Sequence, residues 1–325
     1  MSENRQNGEA ADGVVVTPIL NRSQWLELRK PLITASVAAA LFGDGVHPYH
    51  TAYGLWALKS GLVDEDPTET PSMRRGRLLE PVALDLIAEE FPDWRINPCL
   101  GFYADPVSRI GATPDAFATR PDIEGLGVVQ IKTVGHFAFK KGWRGMDGDV
   151  EIPLWVAVQA SVEAALTGAS WAAVAAMSLG DGGLDLYVED VPLRPALMAK
   201  LRVLAVDFWR RVETGDSYPP DFNRDSAAIA RIYSDADNGV QIDLSGDLRV
   251  AEIIEEREKL KAREADGAKA EKSRKVLDAE LIYKMGNAAR GELADGRIIE
   301  APTTNRKAYE VKASSYRTVK IKERK

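Results

Sequence analysis

The chain has 325 residues, 45% hydrophobic and 28% charged, enough for one large core or for a core with a smaller appendage. Its formal charge of -7 argues against indiscriminate nucleic-acid binding but leaves room for a locally basic groove. No apolar run reaches the roughly 18 residues of a membrane span, and the polar, acidic start lacks a secretory signal pattern. Cys99 has no intrachain partner, and His47, His50 and His136 are too scattered for a zinc pattern. The expectations are a cytoplasmic location, no membrane partner, and a metal held by oxygen ligands, which favours Mg²⁺ or Mn²⁺.

Residues 1 to 15 read as a disordered polar tail. Ser23 to Leu28 predicts a short helix, and Thr34-Ala35-Ser36 leads into the alanine-rich run Val37 to Phe42, which Gly43 stops. Thr34 or Ser36 is the expected N-cap. A helix start flanked by hydroxyls is a natural anion site, which Arg29 just upstream could join. An ordinary capped helix with a surface arginine is the alternative. Tyr53 to Lys59 predicts an apolar helix containing Trp56, and Pro67 to Pro71 a polar break. A longer helix begins near Met73, with Leu79, Val82, Ala83, Leu86, Ile87 and Phe91 at the spacing of a buried stripe. Glu80 lies off the middle of that stripe, directly before Pro81, where solvent exposure is the ordinary expectation.

Three strands are predicted next, at Leu100 to Ala104, Arg109 to Ala112 and Gly127 to Val134, the last entered through a turn over Asp122 to Leu126. Ile152 to Gly168 predicts a helix, and Trp171 to Leu179 with Leu184 to Val191 a hairpin across Gly180 to Gly183. Pro195 to Gly215 predicts an amphipathic helix. This order implies an α/β fold with helices around a central mixed sheet. Beyond Pro219-Pro220 the charge-dense stretch Asp247 to Met285 predicts two helices separated near Gly267. A hairpin around Asp295-Gly296 and a basic tail from Arg306 to Lys325 follow. The expected division is a tail over 1–15, a core over 16–220 and an extension over 221–325.

The residues that carry chemistry stand in two blocks, Gly111-Ala112-Thr113-Pro114-Asp115 and Val128-Val129-Gln130-Ile131-Lys132. On a strand, residues 128, 130, 132 and 134 share one face, so Gln130 and Lys132 emerge together beside whatever Asp115 approaches. Phosphodiester hydrolysis needs a metal to polarise the phosphate and activate water, and a cation where negative charge accumulates. Asp115 suits the metal and Lys132 the charge. Gln130 offers a neutral oxygen, Ile131 a peptide carbonyl, and Glu80 a further carboxylate from a helix packed on the sheet.

Arg29 with Ile33-Thr34-Ala35-Ser36, Arg75-Gly76 with Glu80-Pro81, the two blocks above, and the helix Pro153 to Gly168 together resemble the YqaJ-type viral recombinases. These are relatives of phage lambda exonuclease among the PD-(D/E)xK nucleases, and the resemblance spans approximately residues 20 to 215. It implies a restriction-endonuclease-like core and a Mg²⁺-dependent 5′ to 3′ exonuclease acting on double-stranded DNA ends. The product would be 3′ overhangs for a partner single-strand annealing protein, and the assembly a trimeric ring. By motif position Asp115 and Glu80 would bind metal and Lys132 would be the catalytic lysine. Arg29, Ser36 and Thr34 would hold the terminal 5′-phosphate, with Thr113 near it. The family's functional glutamine on the following helix would be Gln159, with Ser161 left open as the counterpart. Gln130 departs from the pattern, standing where the family carries an acid. A structure-specific endonuclease and an inert DNA-end binding module are the competing readings, the second motivated by Gln130.

Overall fold

A computed structural model describes residues 10–64, 69–180, 183–263, 267–305, 315–317 and 319–323. Most of the expected disordered tail, the middle of the 180–183 turn, part of the 67–71 break and most of the basic tail lie outside the described residues. The chain divides into two compact units: the residues up to His50 with those from Asp66 to Thr214, and Thr51–Glu65 with the residues from Gly215 onward. The helix after Thr51 thus groups with the C-terminal residues.

The first unit opens with β1 (Val15–Pro18), so the expected tail ends in a strand. Helix α1 (Arg22–Arg29) follows, capped by the Asn21 side chain, which accepts from the Gln24 N–H at 2.9 Å. The short β2 (Ile33–Thr34) leads to α2 (Ala35–Ala38), and the chain then tightens into a 3₁₀ turn over Ala39–Phe42. The expected single helix over Val37 to Phe42 is thus two short pieces, since Gly43 at φ 132 ends the run before a second α-helical turn can form. Small buried residues, Ala35, Ala38, Ala39 and Ala40, hold it in the core.

Helix α3 (Ala52–Lys59) belongs to the second unit. Helix α4 (Pro71–Glu90) begins at Thr70, whose hydroxyl accepts from the Met73 N–H at 3.2 Å, with Pro71 in the first turn, where its missing N–H costs nothing. Of the expected stripe, Ala83 and Ile87 are fully buried, whereas Val82 stays exposed. Strands β3 (Arg95–Pro98), β4 (Gly101–Asp105), β5 (Ile110–Ala112), β6 (Ala116–Arg120) and β7 (Ile123–Gly135) follow. The expected turn over Asp122 to Leu126 is mostly strand: the reversal closes at Pro121-Asp122, and Ile123 already pairs with Arg120. Short α5 (His136–Gly142) and α6 (Leu154–Thr167) lead to the hairpin β8 (Trp171–Gly180) and β9 (Gly183–Asp190), and α7 (Pro195–Thr214) closes the unit. Gly168, left-handed at φ 67, stops α6.

These strands make a four-stranded sheet in the order β1-β4-β5-β2 and a five-stranded sheet in the order β3-β6-β7-β8-β9. In the larger sheet β7 and β8 run parallel, joined through α6, and the other pairs are antiparallel. One face, carrying Ala116, Val129, Ile131, Ala173 and Met177, packs on Ala83 and Ile87 of α4. The alternate residues of β7 face α6. The chain crosses between the sheets at 99–100 and again at 113–115, where the Cys99 N–H donates to the Asp115 carbonyl at 3.0 Å. Asp115 therefore sits at the split, where strand pairing lapses and side chains gain room.

The second unit contains α3, α8 (Ser226–Ile232), β10 (Asp237–Asp243), α9 (Leu248–Arg263), α10 (Ala268–Met285), β11 (Ala288–Glu292), β12 (Arg297–Glu300), β13 (Thr303–Asn305), β14 (Ser315–Arg317) and β15 (Lys320–Glu323). Its main sheet runs β10-β11-β12-β15. The two expected helices and the hairpin around Asp295-Gly296 are present, and Val250, Ile253, Ile254, Leu277, Leu281 and Ile282 are buried. The sparse apolar residues of this charge-dense stretch therefore form a core of their own. Thr51 ties α3 to α8, accepting from the Gly54 N–H at 2.9 Å and donating to Asp225.

Candidate active site

Strand β7 places Gln130 and Lys132 on its α6 face, as period-2 alternation requires. The Lys132 ammonium lies 5.6 Å from the centre of the Trp155 ring on α6. Gln130 is 2% exposed, and its amide nitrogen donates to Asp115 Oδ2. The Ile131 N–H donates to the same oxygen at 2.7 Å, so the strand itself aims the carboxylate. Gln130 Oε1 accepts from Gln159 Nε2 at 2.9 Å, and that nitrogen also donates to Glu163 Oε1 at 2.9 Å. A chain of amides thus links the half-buried carboxylate of Asp115 to the buried one of Glu163 through Gln130 and Gln159. Ser161 spends its hydroxyl on the Ala157 carbonyl within α6, so Gln159 is the α6 residue of this network.

Charges are crowded here. Burial raises the Asp115 carboxyl above its ordinary value, opposed by Lys132, the Ile131 N–H and the Gln130 amide. Glu80 is pushed up to about 7, first by burial and then by Asp115, with Lys132 opposing. Glu163 is raised well above the carboxylate range, again by burial and then by Asp115. The sequence leaves Glu80 to ordinary exposure, but α4 delivers it within electrostatic reach of Asp115 and Lys132. From the same helix the Arg75 guanidinium donates to the Thr133 carbonyl at 3.4 Å, while its Nε is buried with no hydrogen-bond partner among the described residues.

A second cluster forms around Arg29. Its guanidinium donates to Thr34 Oγ1 at 3.5 Å and to Ser36 Oγ at 3.4 Å, and these hydroxyls are 3.0 Å apart. Thr34 occupies the N-cap position of α2 without capping it, so its hydroxyl is turned to this cluster. Arg29 stacks 4.0 Å from the centre of the Trp25 ring, and the Trp25 indole N–H donates to Thr113 Oγ1 at 3.1 Å. Thr113 precedes Asp115 by two residues, so one short segment serves both clusters. His47 joins them from the other side, its Nε2 lying 3.0 Å from the Ser36 carbonyl and its ring 5.4 Å from Trp155.

The structure brings Asp115, Gln130, Ile131, Lys132, Glu80 and Gln159 into one neighbourhood and Arg29, Thr34, Ser36 and Thr113 into another. Glu163, Trp25, His47 and Trp155 are additions. Only Glu163 carried a signal in the sequence, an acid four residues after Gln159 on an otherwise apolar helix.

Residues 24–170 match the model of the YqaJ-like viral recombinase domain. This stretch of the chain is similar to that domain. Its core is a central mixed sheet between helices. No curated protein matches the sequence. Among solved structures, the alkaline exonuclease LHK-Exo from Laribacter hongkongensis is 20% identical, with 60% of this chain and 94% of that chain covered and a TM-score of 0.45. The same enzyme in complex with dAMP gives 20% identity, the same coverage and a TM-score of 0.46. A phage-related exonuclease from Haemophilus somnus 129PT is 11% identical, with 57% and 96% covered and a TM-score of 0.43. The YqaJ-like domain supports a nuclease of the phage recombination type. No helix among the described residues is long and apolar enough to cross a membrane.

The donors suit a hard divalent cation. Asp115 and Glu80 supply carboxylates and Ile131 a carbonyl, while Gln159 Oε1 and Glu163 Oε2 are buried oxygens with no hydrogen-bond partner among the described residues. Among those residues no three His, Cys, Asp or Glu side chains gather on one point. That composition fits a hard divalent ion that keeps several waters and takes one or two carboxylates better than a metal caged by protein.

Proposed function

We propose that this protein is a Mg²⁺-dependent exonuclease that degrades linear double-stranded DNA from the 5′ end, leaving 3′ overhangs for single-strand annealing. The observation that carries the reading is the meeting of Asp115, Glu80 and Lys132 at the split between the sheets, inside a YqaJ-like domain. A bound divalent ion would polarise the scissile phosphate and lower the pKa of the attacking water. Asp115, oriented by the Ile131 N–H, would hold that ion together with Glu80 and the Ile131 carbonyl. The Lys132 ammonium would stand near the phosphate and stabilise the negative charge that builds up there. Gln130 and Gln159 fix the Asp115 carboxylate in place. Arg29, Thr34 and Ser36 offer a guanidinium and two hydroxyls suited to a terminal phosphate, which supports the 5′ polarity. The family resemblance supports an annealing protein as partner and a ring-shaped trimer as the assembly.

Incubation of the protein and Mg²⁺ with 5′-labelled and 3′-labelled linear duplexes, with a closed circle as control, tests this reading. Loss from 5′ ends alone, abolished by Asp115→Ala and by Lys132→Ala, is the expected result. Cutting of the circle would establish an endonuclease instead. DNA-end binding with no turnover in Mg²⁺ or Mn²⁺ would establish the inert module that the Gln130 bond to Asp115 favours.

A further inference from the structure

We propose that Glu163 supplies the negative charge that Gln130 lacks, completing a divalent-cation site centred on Asp115. The proposal rests on the nuclease reading for the identity of the ion. A glutamine at 130 leaves the strand with one charge fewer than the acid the pattern carries there, and a divalent ion is held by ligand charge as much as by ligand number. Glu163 is the carboxylate placed to restore it. Residues 159 and 163 are one turn apart on α6, so both face β7. Both oxygens, Gln130 Oε1 and Glu163 Oε1, accept from Gln159 Nε2 at 2.9 Å. Two such bonds diverging from one planar amide nitrogen put these oxygens about 5 Å apart. The charge has moved by one amide, from the strand to the facing helix.

An acid retained only for packing would be a poor choice at this place. Glu163 is 1% exposed on a helix whose buried neighbours are Val158, Ala160, Val162, Ala164 and Leu166, and its charge opposes that of Asp115. Its Oε2 meets no partner among the described residues, nor does Oε1 of Gln159, which is 6% exposed. Two unpartnered buried oxygens joined through the amides to the Asp115 carboxylate point to a cation or its bound water as the missing partner. Glu163 would act on the ion through its charge and through the Gln159 amide, which makes it a positioning residue.

The test is Mn²⁺ binding by the full-length protein, measured by calorimetry for wild type, Glu163→Gln, Gln130→Glu and the double variant. Glu163→Gln keeps the shape and the bond to Gln159 while removing the charge. It should weaken Mn²⁺ binding by about tenfold or more. Gln130→Glu on top of Glu163→Gln should return the affinity to within about threefold of wild type, because the charge moves back to the strand. Unchanged affinity in Glu163→Gln, no Mn²⁺ binding by the wild type, or a double variant as weak as Glu163→Gln would each overturn the proposal. If Glu163→Gln fails to fold without metal, the double variant alone decides, by matching the wild type or not. The nuclease reading fails separately: Glu163-dependent Mn²⁺ binding without DNA degradation would retain this inference and remove that one.

Discussion

Replacing Glu80 with glutamine should remove a pH-dependent weakness of the metal-free protein. Burial and the neighbouring Asp115 hold the Glu80 carboxyl at about 7 against an ordinary value of 4.5. The folded state thus keeps a proton that the unfolded chain releases, so stability falls as pH rises from the unfolded value and the loss is complete above the folded one. At 1.36 kcal/mol for each decade, full desolvation would make the loss about 3 kcal/mol. Glu80 is only partly buried, and solvent screening brings this to about 1–2 kcal/mol. For a unit of this size that is a fall in Tm of about 2–8 °C between about pH 5 and about pH 8. Thermal unfolding in EDTA across that range, for wild type and Glu80→Gln, measures it. The wild type should lose Tm steadily, and Glu80→Gln should lose less by that amount, since it also relieves Asp115. Added Mg²⁺ should flatten the wild-type curve by stabilising the ionised carboxylates. Parallel curves for the two proteins in EDTA would refute the electrostatic account of the site.

Three further outcomes follow from single contacts. Arg29→Ala should erase the preference for 5′-phosphorylated over unphosphorylated duplex ends while sparing turnover on the unphosphorylated end; equal loss on both would contradict a phosphate pocket. Gly127→Ala should destabilise the first unit by about 1–3 kcal/mol in denaturant unfolding, because the added methyl would overlap the buried Trp171 indole, which cannot move without disturbing Trp94 and Arg120. Thr51→Val should cost about 1–2 kcal/mol, since it removes the cap of α3 and leaves the Asp225 carboxylate without its hydroxyl donor; an unchanged midpoint would show that this bond contributes nothing net.

The sequence made the site legible wherever the pattern was local. Alternation along β7 put Gln130 and Lys132 on one face, and both meet α6. Hydroxyls beside Arg29 suggested an anion site, and Thr34 and Ser36 do meet its guanidinium, although α2 is too short for the helix dipole to be the reason. Glu80 was harder to place. Its position off the apolar stripe describes only the helix, and its proximity to Asp115 depends on how α4 lies across the sheet. Strand β6 was illegible because Ala116 to Arg120 is short and bounded by the motif turn on one side and a tight reversal on the other. The assignment of Thr51–Glu65 to the second unit depends on long-range partners such as Asp225, which no window of sequence displays.

The two faces of β7 explain why the site can afford so much buried charge. Val129 and Ile131 pack the strand into the apolar layer under α4, and from that packed backbone the Ile131 N–H meets Asp115. The opposite face carries the amides and the lysine, and these are what keep the carboxylates from facing bare hydrocarbon. One lysine opposes the rise of Glu80, Asp115 and Glu163 alike, which means it neutralises none of them fully. Burial thus favours the protonated carboxyls of the metal-free site, and a divalent ion would displace those protons. Metal affinity should rise with pH until the raised carboxyls are ionised, and in that same range these groups lower the stability of the metal-free protein. The charge needed to bind the ion and the weakness of the empty fold are consequences of one arrangement.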